Sequence, residues 1–311
     1  PPAVGLRSAA RVRRIGLLPV GAAQHQDADF LMRGGGSGGG GAMAEAWRHE
    51  GARGRIGDVK QERAAETLAA RKDLPGELQY QYLDVRDAAS FNNSREWLEQ
   101  NGGGLDVLVN NAGRSIRRSL DLSFDRFPVF ERTTQLHYFG SVRLIMGFAP
   151  KMLENRRGHV VNISSIGVLT NAPRFSAYVA SKSALDAFSR CAAAEWSDRN
   201  VTFTTINMPL VKTPMIAPTK IYDSVPTLTP DEAAGMVADA IVYRPKRIAT
   251  RLGIFAQVLH ALAPKMGEIV MNTGYRMFPD SPAAAGSRSG EKPKVSTEQV
   301  AFAAIMRGIY W

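Results

Sequence analysis

The chain has 311 residues, 44% of them apolar, with 39 lysines and arginines against 29 aspartates and glutamates, a net charge of +10. Such a length buries one large core or two small ones, and no unbroken apolar run approaches the roughly 18 residues that a membrane span requires. One cysteine excludes an internal disulfide framework and fits a reducing compartment, the cytoplasm, while five histidines without ligand spacing argue against a metal site.

The basic charge is dispersed, with no stripe interleaved with aromatics, so no nucleic-acid partner is expected. A phosphate-rich cofactor or substrate, or an anionic membrane surface met peripherally, fits the charge.

Residues 1–27 carry Arg7, Arg11, Arg13 and Arg14 and no acidic residue before Asp27. They read as a basic tail or a truncated linker of a longer product. From Asp29 strands and helices alternate, which predicts a parallel sheet with helices on both faces. Phe30 to Met32 is a short first strand, followed by a glycine run at 34–41 and a helix at 42–50. A second strand at 53–58 is a poor one, because it contains Gly54 and Gly57. Further strands fall at 78–84, 105–110, 158–164 and 201–207, and helices at about 61–72, 88–100, 125–153 and 175–198. Thr229-Pro230-Asp231-Glu232 reads as a helix start, with Thr as N-cap, Pro at the first position and Glu at the third. Arg247 to Thr250 is a final strand.

Phe255, Val258, Leu259 and Leu262 then recur at helical spacing. Most such stripes are core, but in a basic tail rich in Met and Leu a lipid-facing or acyl-chain-facing role is also open. Residues 282–295 are small, polar and charged, a linker composition, and Val300 to Trp311 reads as a docking helix. The organisation expected is a tail at 1–27, an α/β domain at 28–250 and a helical C-terminal extension at 251–311.

Chemistry concentrates at Tyr178 and Lys182, four apart and so on nearly one helix face. An ammonium there favours phenolate over phenol, which is expected to bring the tyrosine pKa down toward working pH. Tyr178 then suits proton transfer at a carbonyl. Ser165 ends the apolar run Val160 to Ile163 plus Ser164, where its hydroxyl can meet the same oxygen. The glycine run between strand and helix lets a backbone approach a pyrophosphate at a helix N-terminus. Asp58 closes the second strand, where a carboxylate accepts a ribose 2′-hydroxyl and repels a 2′-phosphate.

Tyr178-Val179-Ala180-Ser181-Lys182, the glycine run, Leu105 to Gly113 (LDVLVNNAG) and Asp84-Val85 together resemble the short-chain dehydrogenase/reductase family over roughly residues 28–250. The resemblance implies a Rossmann-type doubly wound parallel sheet, a single domain with the helical C-terminal extension. It also implies an NAD or NADP cofactor and homo-oligomers. Gly34, Gly38 and Gly40 take the family's glycine positions, with Ser37 and Gly39 in the loop. Arg33 stands where the family has Thr, and Gly39 where it has Ile. The family implies adenine contact at Asp84 and Val85, and a ribose lining at Asn110, Ala112 and Gly113. Val211 and Thr213 match the segment that holds the nicotinamide carboxamide.

Ser165, Tyr178 and Lys182 match three of the family's four catalytic positions. His137 stands at the fourth, an asparagine that positions a water relay. His137 either supports a relay, blocks it, or is a satisfied buried histidine. Cys191, weighed as a nucleophile, is expected to be a small buried structural residue on the Tyr178 helix.

Residues 110–118, 164–169, 208–220 and 244–252 resemble a narrower group, the bacterial long-chain fatty acyl-CoA reductases. Its members imply reduction of an acyl-CoA thioester to an aldehyde, and NADPH use, whereas Asp58 speaks for NAD. Arg114, Arg117 and Arg118 follow the central strand and suit CoA phosphates through bidentate contacts, or form a solvated helix start. A reductase of a free ketone, aldehyde or alcohol, and a cofactor-binding pseudoenzyme serving as an interaction module, are the alternatives.

Overall fold

The computed structural model describes residues 29–34, 40–44, 53–69, 76–102, 104–213, 227–277 and 280. Seven strands form one sheet: β1 (Asp29–Arg33), β2 (Arg53–Asp58), β3 (Leu78–Tyr82), β4 (Val107–Asn110), β5 (Gly158–Ile163), β6 (Val201–Ile206) and β7 (Arg247–Ile248). Their order across the sheet is β3-β2-β1-β4-β5-β6-β7, all parallel. The central strands read as continuous runs rather than alternations because both faces are covered. β1, β4 and β5 are buried at every residue, whereas β3, on the edge, is half-buried and alternates Leu-Gln-Tyr-Gln-Tyr.

Successive side chains leave a strand on opposite faces, which divides the core in two. Phe30, Met32, Val107, Val109 and Val161 pack on one side with Met43 and Ala44 of α1 (residues 40–44), Ala64 of α2 (Gln61–Ala69), and Val237 of α8 (Pro230–Tyr243). Leu31, Leu108 and Val160 pack on the other. There they meet Phe91 of α3 (Ala88–Gly102), Leu144 of α5 (Gly140–Glu154) and Leu185 of α7 (Ser176–Glu195).

Charged residues end β1 without leaving the interior. Asp29 is buried and accepts from Arg55 Nη1 at 2.9 Å. Arg33 is also buried. Of the glycines that made β2 look poor, Gly57 has a packing use: a Cβ there would lie 2.6 Å from Leu83 Cδ2.

The long helix expected at 125–153 is interrupted. α4 (Pro128–Thr134) runs into a π turn at Gln135–Phe139 and then α5, and the Gly140 N–H bonds back to Gln135 O. Gly140 permits the fit, since a Cβ there would sit 2.4 Å from Val85 Cγ2. The third strand stops at Tyr82, so Asp84 and Val85 stand in the turn after it. One helix was not expected from the pattern, the short α6 (Ile166–Thr170), while α9 (Arg251–Leu262) and α10 (Pro264–Met277) fall within the C-terminal stretch read as helical. α9 lies tightly on α6, where a Cβ on Gly253 would fall 2.9 Å from Leu169 Cδ1.

The α9 stripe is not core. Phe255 is 62% and Leu262 81% exposed, so the common reading of that spacing is corrected. Packing on α6 uses Gly253 instead and turns these side chains outward. Among the described residues no helix is long and apolar enough to cross a membrane. The tail, the linker at 282–295 and the stretch from Val300 to Trp311 lie outside the described residues.

The α8 start follows its sequence. Thr229 Oγ1 accepts the Glu232 N–H at 3.2 Å, and Glu232 Oε2 accepts the Thr229 N–H at 2.8 Å. Thr229→Ala should lower unfolding stability by about 1 kcal/mol in urea titrations, the usual scale for losing an N-cap. Thr229→Ser should recover most of it.

Candidate active site

The carboxyl ends of the central strands bring the expected residues together. β5 ends at Ile163, and two residues on Ser165 caps α6, its Oγ accepting the Gly167 N–H at 3.1 Å. Asn207, fully buried after β6, donates from Nδ2 to the Ser165 carbonyl at 3.2 Å. Sequence reading missed this support. α7 then passes beneath, carrying Tyr178 and Lys182.

Lys182 is 3% exposed, and its Nζ donates to the Ile163 carbonyl at 2.6 Å. Burial, followed by the charge of Arg33, lowers its pKa to about 8, and Asp186 one turn on acts in the opposite sense. Burial raises the Tyr178 phenol above its ordinary value, partly offset by a hydrogen bond with Ser165. The expectation that Lys182 would pull the tyrosine toward phenolate is therefore corrected. The ammonium points at a carbonyl, and desolvation of the phenol prevails.

His137 is wholly buried in the π turn. Its Nε2 accepts the Arg114 N–H at 2.9 Å, and its Nδ1 lies 2.8 Å from Ser181 Oγ. Ser181 directs its own hydrogen to the Tyr178 carbonyl at 2.8 Å, so Nδ1 carries the imidazole hydrogen and donates to Ser181. The ring also stands edge-on to Tyr178, centroids 5.3 Å apart. Burial and then the charges of Lys182 and Arg33 bring its pKa down to about 2. Of the three readings of His137, the satisfied buried histidine describes its contacts here. Ser181 is the partner that sequence reading overlooked.

Gly113 joins these groups. A Cβ there would lie 3.2 Å from His137 Nε2 and 3.6 Å from Lys182 Nζ. At the neighbouring turn Ala112 N–H donates to Arg33 O at 2.9 Å. Asn110 is buried and donates from Nδ2 to Asn162 Oδ1 at 2.8 Å, so its side chain shapes the strand ends.

The cofactor positions fit a dinucleotide in several respects. Gly34 has φ +77°, which favours glycine, and a Cβ there would meet Ala112 Cα at 2.7 Å. Gly40 is buried at the start of α1, while Ser37, Gly38 and Gly39 lie outside the described residues. Asp58 closes β2 with its Oδ1 accepting the Lys60 N–H at 3.0 Å. Asp84 is gripped by Arg86, with Nη2 to Oδ2 at 2.6 Å and Nε to Oδ1 at 2.9 Å, and this pairing lowers its pKa. The Val85 side chain is buried against Gly140, and its carbonyl accepts from Arg143 Nη1. Val211 bridges to Leu228, and Thr213 Oγ1 donates to Val211 O at 3.3 Å.

Arg114, Arg117 and Arg118 lie in irregular chain, which corrects the helix-start alternative. Arg114 is exposed, and the Arg118 N–H bonds to Arg174 O at 2.8 Å. Cys191 is exposed, not buried as expected, because the buried side of α7 falls at Ser189 and Ala192.

An open pocket of about 490 Å³ lies against Val179, lined also by Leu120, Asp121, Arg174 and Tyr275. Arg174 fixes its floor: it stacks on the Tyr275 ring at 3.9 Å, donates to Tyr275 O at 3.0 Å and pairs with Asp280 at 3.1 Å.

A neutral, doubly bonded His137 has a thermodynamic signature. Only the unfolded chain takes its proton, so stability should decline as pH falls from 6.5 toward about 2. The His137 ring resonances should stay constant from about pH 8 to 5, where an ordinary histidine titrates. A midpoint in that window would refute the assignment.

The family described as short chain dehydrogenase matches residues 30–221. The chain is 49% identical to a fatty acyl-CoA reductase of Acinetobacter baylyi over 251 residues, 81% of this chain and 84% of that protein. It is 52% identical over 210 residues to an uncharacterized oxidoreductase of Mycobacterium tuberculosis, covering 67% of this chain and 62% of the relative. Among solved structures, a short-chain dehydrogenase from Streptomyces avermitilis superposes with a TM-score of 0.67 at 26% identity, over 80% of this chain and 98% of that one. A 3-ketoacyl-(acyl-carrier-protein) reductase from Brucella melitensis, complexed with NADH, has the same fold, with a TM-score of 0.63 at 23% identity over 68% of this chain and 90% of that one. With the sheet order, the crossing at Gly34 and Ala112, and the meeting of Ser165, Tyr178 and Lys182, these likenesses place the chain in the short-chain dehydrogenase/reductase family of NAD(P)-dependent oxidoreductases.

Proposed function

We propose that the protein reduces a long-chain fatty acyl-CoA to the fatty aldehyde and free CoA, with Ser165, Tyr178 and Lys182 as its catalytic residues. The observation that carries the reading is 49% identity across 81% of the chain to a protein named fatty acyl-CoA reductase. The pocket beside Val179 supports it, since Leu120, Val179 and Tyr275 offer apolar surface next to the catalytic helix.

Gly34, Ser37, Gly38, Gly39, Gly40, Asp58, Asp84, Val85, Asn110, Ala112, Gly113, Val211 and Thr213 are the residues that would hold the nicotinamide dinucleotide, which supplies a hydride. Asp58 favours NAD over NADP because a carboxylate there repels a 2′-phosphate. Tyr178 and Ser165 meet the thioester carbonyl oxygen. The raised pKa keeps Tyr178 a neutral phenol, the form that donates a proton as negative charge builds on that oxygen. The product is a hemithioacetal. On its collapse the hydroxyl proton returns to the Tyr178 oxygen, the C–S bond breaks, and CoA thiolate leaves and takes a proton from solvent. Lys182 stands one helical turn from the phenol as a buried ammonium held on the Ile163 carbonyl. His137 supports this set from behind: it holds Arg114 and, through Ser181, the Tyr178 backbone. Arg114, Arg117 and Arg118, in the chain after β4, are the residues that would meet CoA phosphates. The exposed Phe255, Val258 and Leu262 suit peripheral contact with a lipid surface, the family resemblance favours a homo-oligomer, and the single cysteine fits the cytoplasm.

One observation favours a second reading. Because both His137 nitrogens are bonded within the protein, the usual route for a water relay is closed, as in a protein that binds the cofactor without turnover.

Purified protein, palmitoyl-CoA, and NADH or NADPH in parallel test both readings by cofactor oxidation and aldehyde trapping. Aldehyde formation supports the reductase, cofactor binding without oxidation the second reading, and turnover of free ketones alone a different substrate class. Tyr178→Phe should cut turnover by about 10²-fold or more with cofactor affinity retained. Asp58→Ala should raise the efficiency with NADPH relative to NADH, and an unmoved ratio would remove Asp58 from the ribose.

A further inference from the structure

We propose that Arg33 is a positioning residue of this active site: its buried guanidinium ties the end of β1 to the π turn that carries His137, and its positive charge acts on Lys182. The inference rests on Lys182 being the lysine of the proposed site.

The geometry is specific. Arg33 is 2% exposed, although arginine is among the residues least often buried. Its Nη2 donates to Leu136 O at 2.7 Å and its Nη1 to Ser141 Oγ at 3.1 Å, so the guanidinium grips the π turn on both sides. Leu136 immediately precedes His137. In an α-helix the Leu136 carbonyl would take the Gly140 N–H, but the π turn sends that N–H to Gln135 O. Arg33 supplies the donor. Gly140 makes room for it, since a Cβ there would lie 3.3 Å from Nη2. At its backbone Arg33 O receives the Ala112 N–H, next to Gly113, whose Cα faces both His137 and Lys182. One residue thus joins the first strand, the turn after β4 and the π turn.

Among the described residues no carboxylate forms an ion pair with Arg33. Asp84 and Asp58 lie close enough to favour its charge, Arg86 opposes it, and burial brings its pKa to about 9. The charged and titratable groups that face Lys182 are Arg33 from β1, His137 from the π turn, and Tyr178 and Asp186 on its own helix. Arg190 and Arg247 in turn act on Asp186. Arg33 is the cation among the groups that act on Lys182 itself. It disfavours a second buried charge and so adds to burial, the larger cause, in lowering the lysine pKa.

The test separates charge from hydrogen bonding. Arg33→Met removes both, Arg33→Gln keeps an N–H for the Leu136 carbonyl without charge, Arg33→Lys keeps the charge, and Ser141→Ala removes one acceptor only. Lys182 is titrated by NMR with ¹³C at lysine Cε, assigned with Lys182→Arg, and kcat/KM for palmitoyl-CoA is recorded against pH. In Arg33→Met and Arg33→Gln the Lys182 midpoint should rise from about 8 by roughly one pH unit, the scale of one neighbouring charge. The basic limb of kcat/KM should move with it. Arg33→Lys and Ser141→Ala should keep the wild-type midpoint. If Arg33→Met does not fold, Arg33→Gln carries the comparison. A midpoint unchanged in the neutral variants, or shifted equally in Arg33→Lys, overturns the inference. The NMR midpoint needs no substrate, so a protein that fails to reduce acyl-CoA still reports on Arg33.

Discussion

The bond from Lys182 Nζ to the Ile163 carbonyl organises the catalytic end of this molecule. A buried ammonium without an acceptor is costly, so the lysine fixes α7 against the tip of β5. That one attachment sets two distances at once. Tyr178 stands a turn earlier on the same helix, and Ser165 follows Ile163 by two residues on the same strand end. Their meeting needs no further adjustment, because the Ser165 cap and the bond from Asn207 hold the serine in place. The price of the arrangement is a depressed lysine pKa, and it is the same burial that keeps the tyrosine protonated.

The centre of the sheet was legible in the sequence because β1, β4 and β5 are buried on both faces and centre on apolar runs. The helix start at Thr229 was legible for a local reason: capping needs only neighbouring residues. Charges misled the boundaries. Asp29 and Arg33 look like the residues that end a strand, yet both belong to β1 and are buried, one paired with Arg55 and the other with a helix carbonyl. Such partners lie 26 and 103 residues away and leave no mark in a local pattern.

The site divides in the same way. Spacing placed Tyr178 and Lys182 on one face, but spacing carries no information on desolvation, and desolvation decided the tyrosine's protonation. His137 was found as a departure from a family pattern. Its role depended on Ser181 and on the Arg114 backbone, which only the fold brings near. The expected burial of Cys191 and the core reading of the α9 stripe failed for one reason. Periodicity shows that a helix has faces and does not say which of them packs, and in α9 the packing face belongs to a glycine.

The π turn places an extra residue in one turn of an otherwise α-helical path. Each residue advances an α-helix by about 100°, so α4 and α5 are offset by that angle relative to an unbroken helix. Deleting any one of Gln135 to Phe139 would restore a regular helix and rotate one half against the other. Either Thr133 on the first half, or Leu144 and Ile145 on the second, would then leave the interior. In this helix the length of the segment is itself under constraint, so a missing residue does more harm than an altered one.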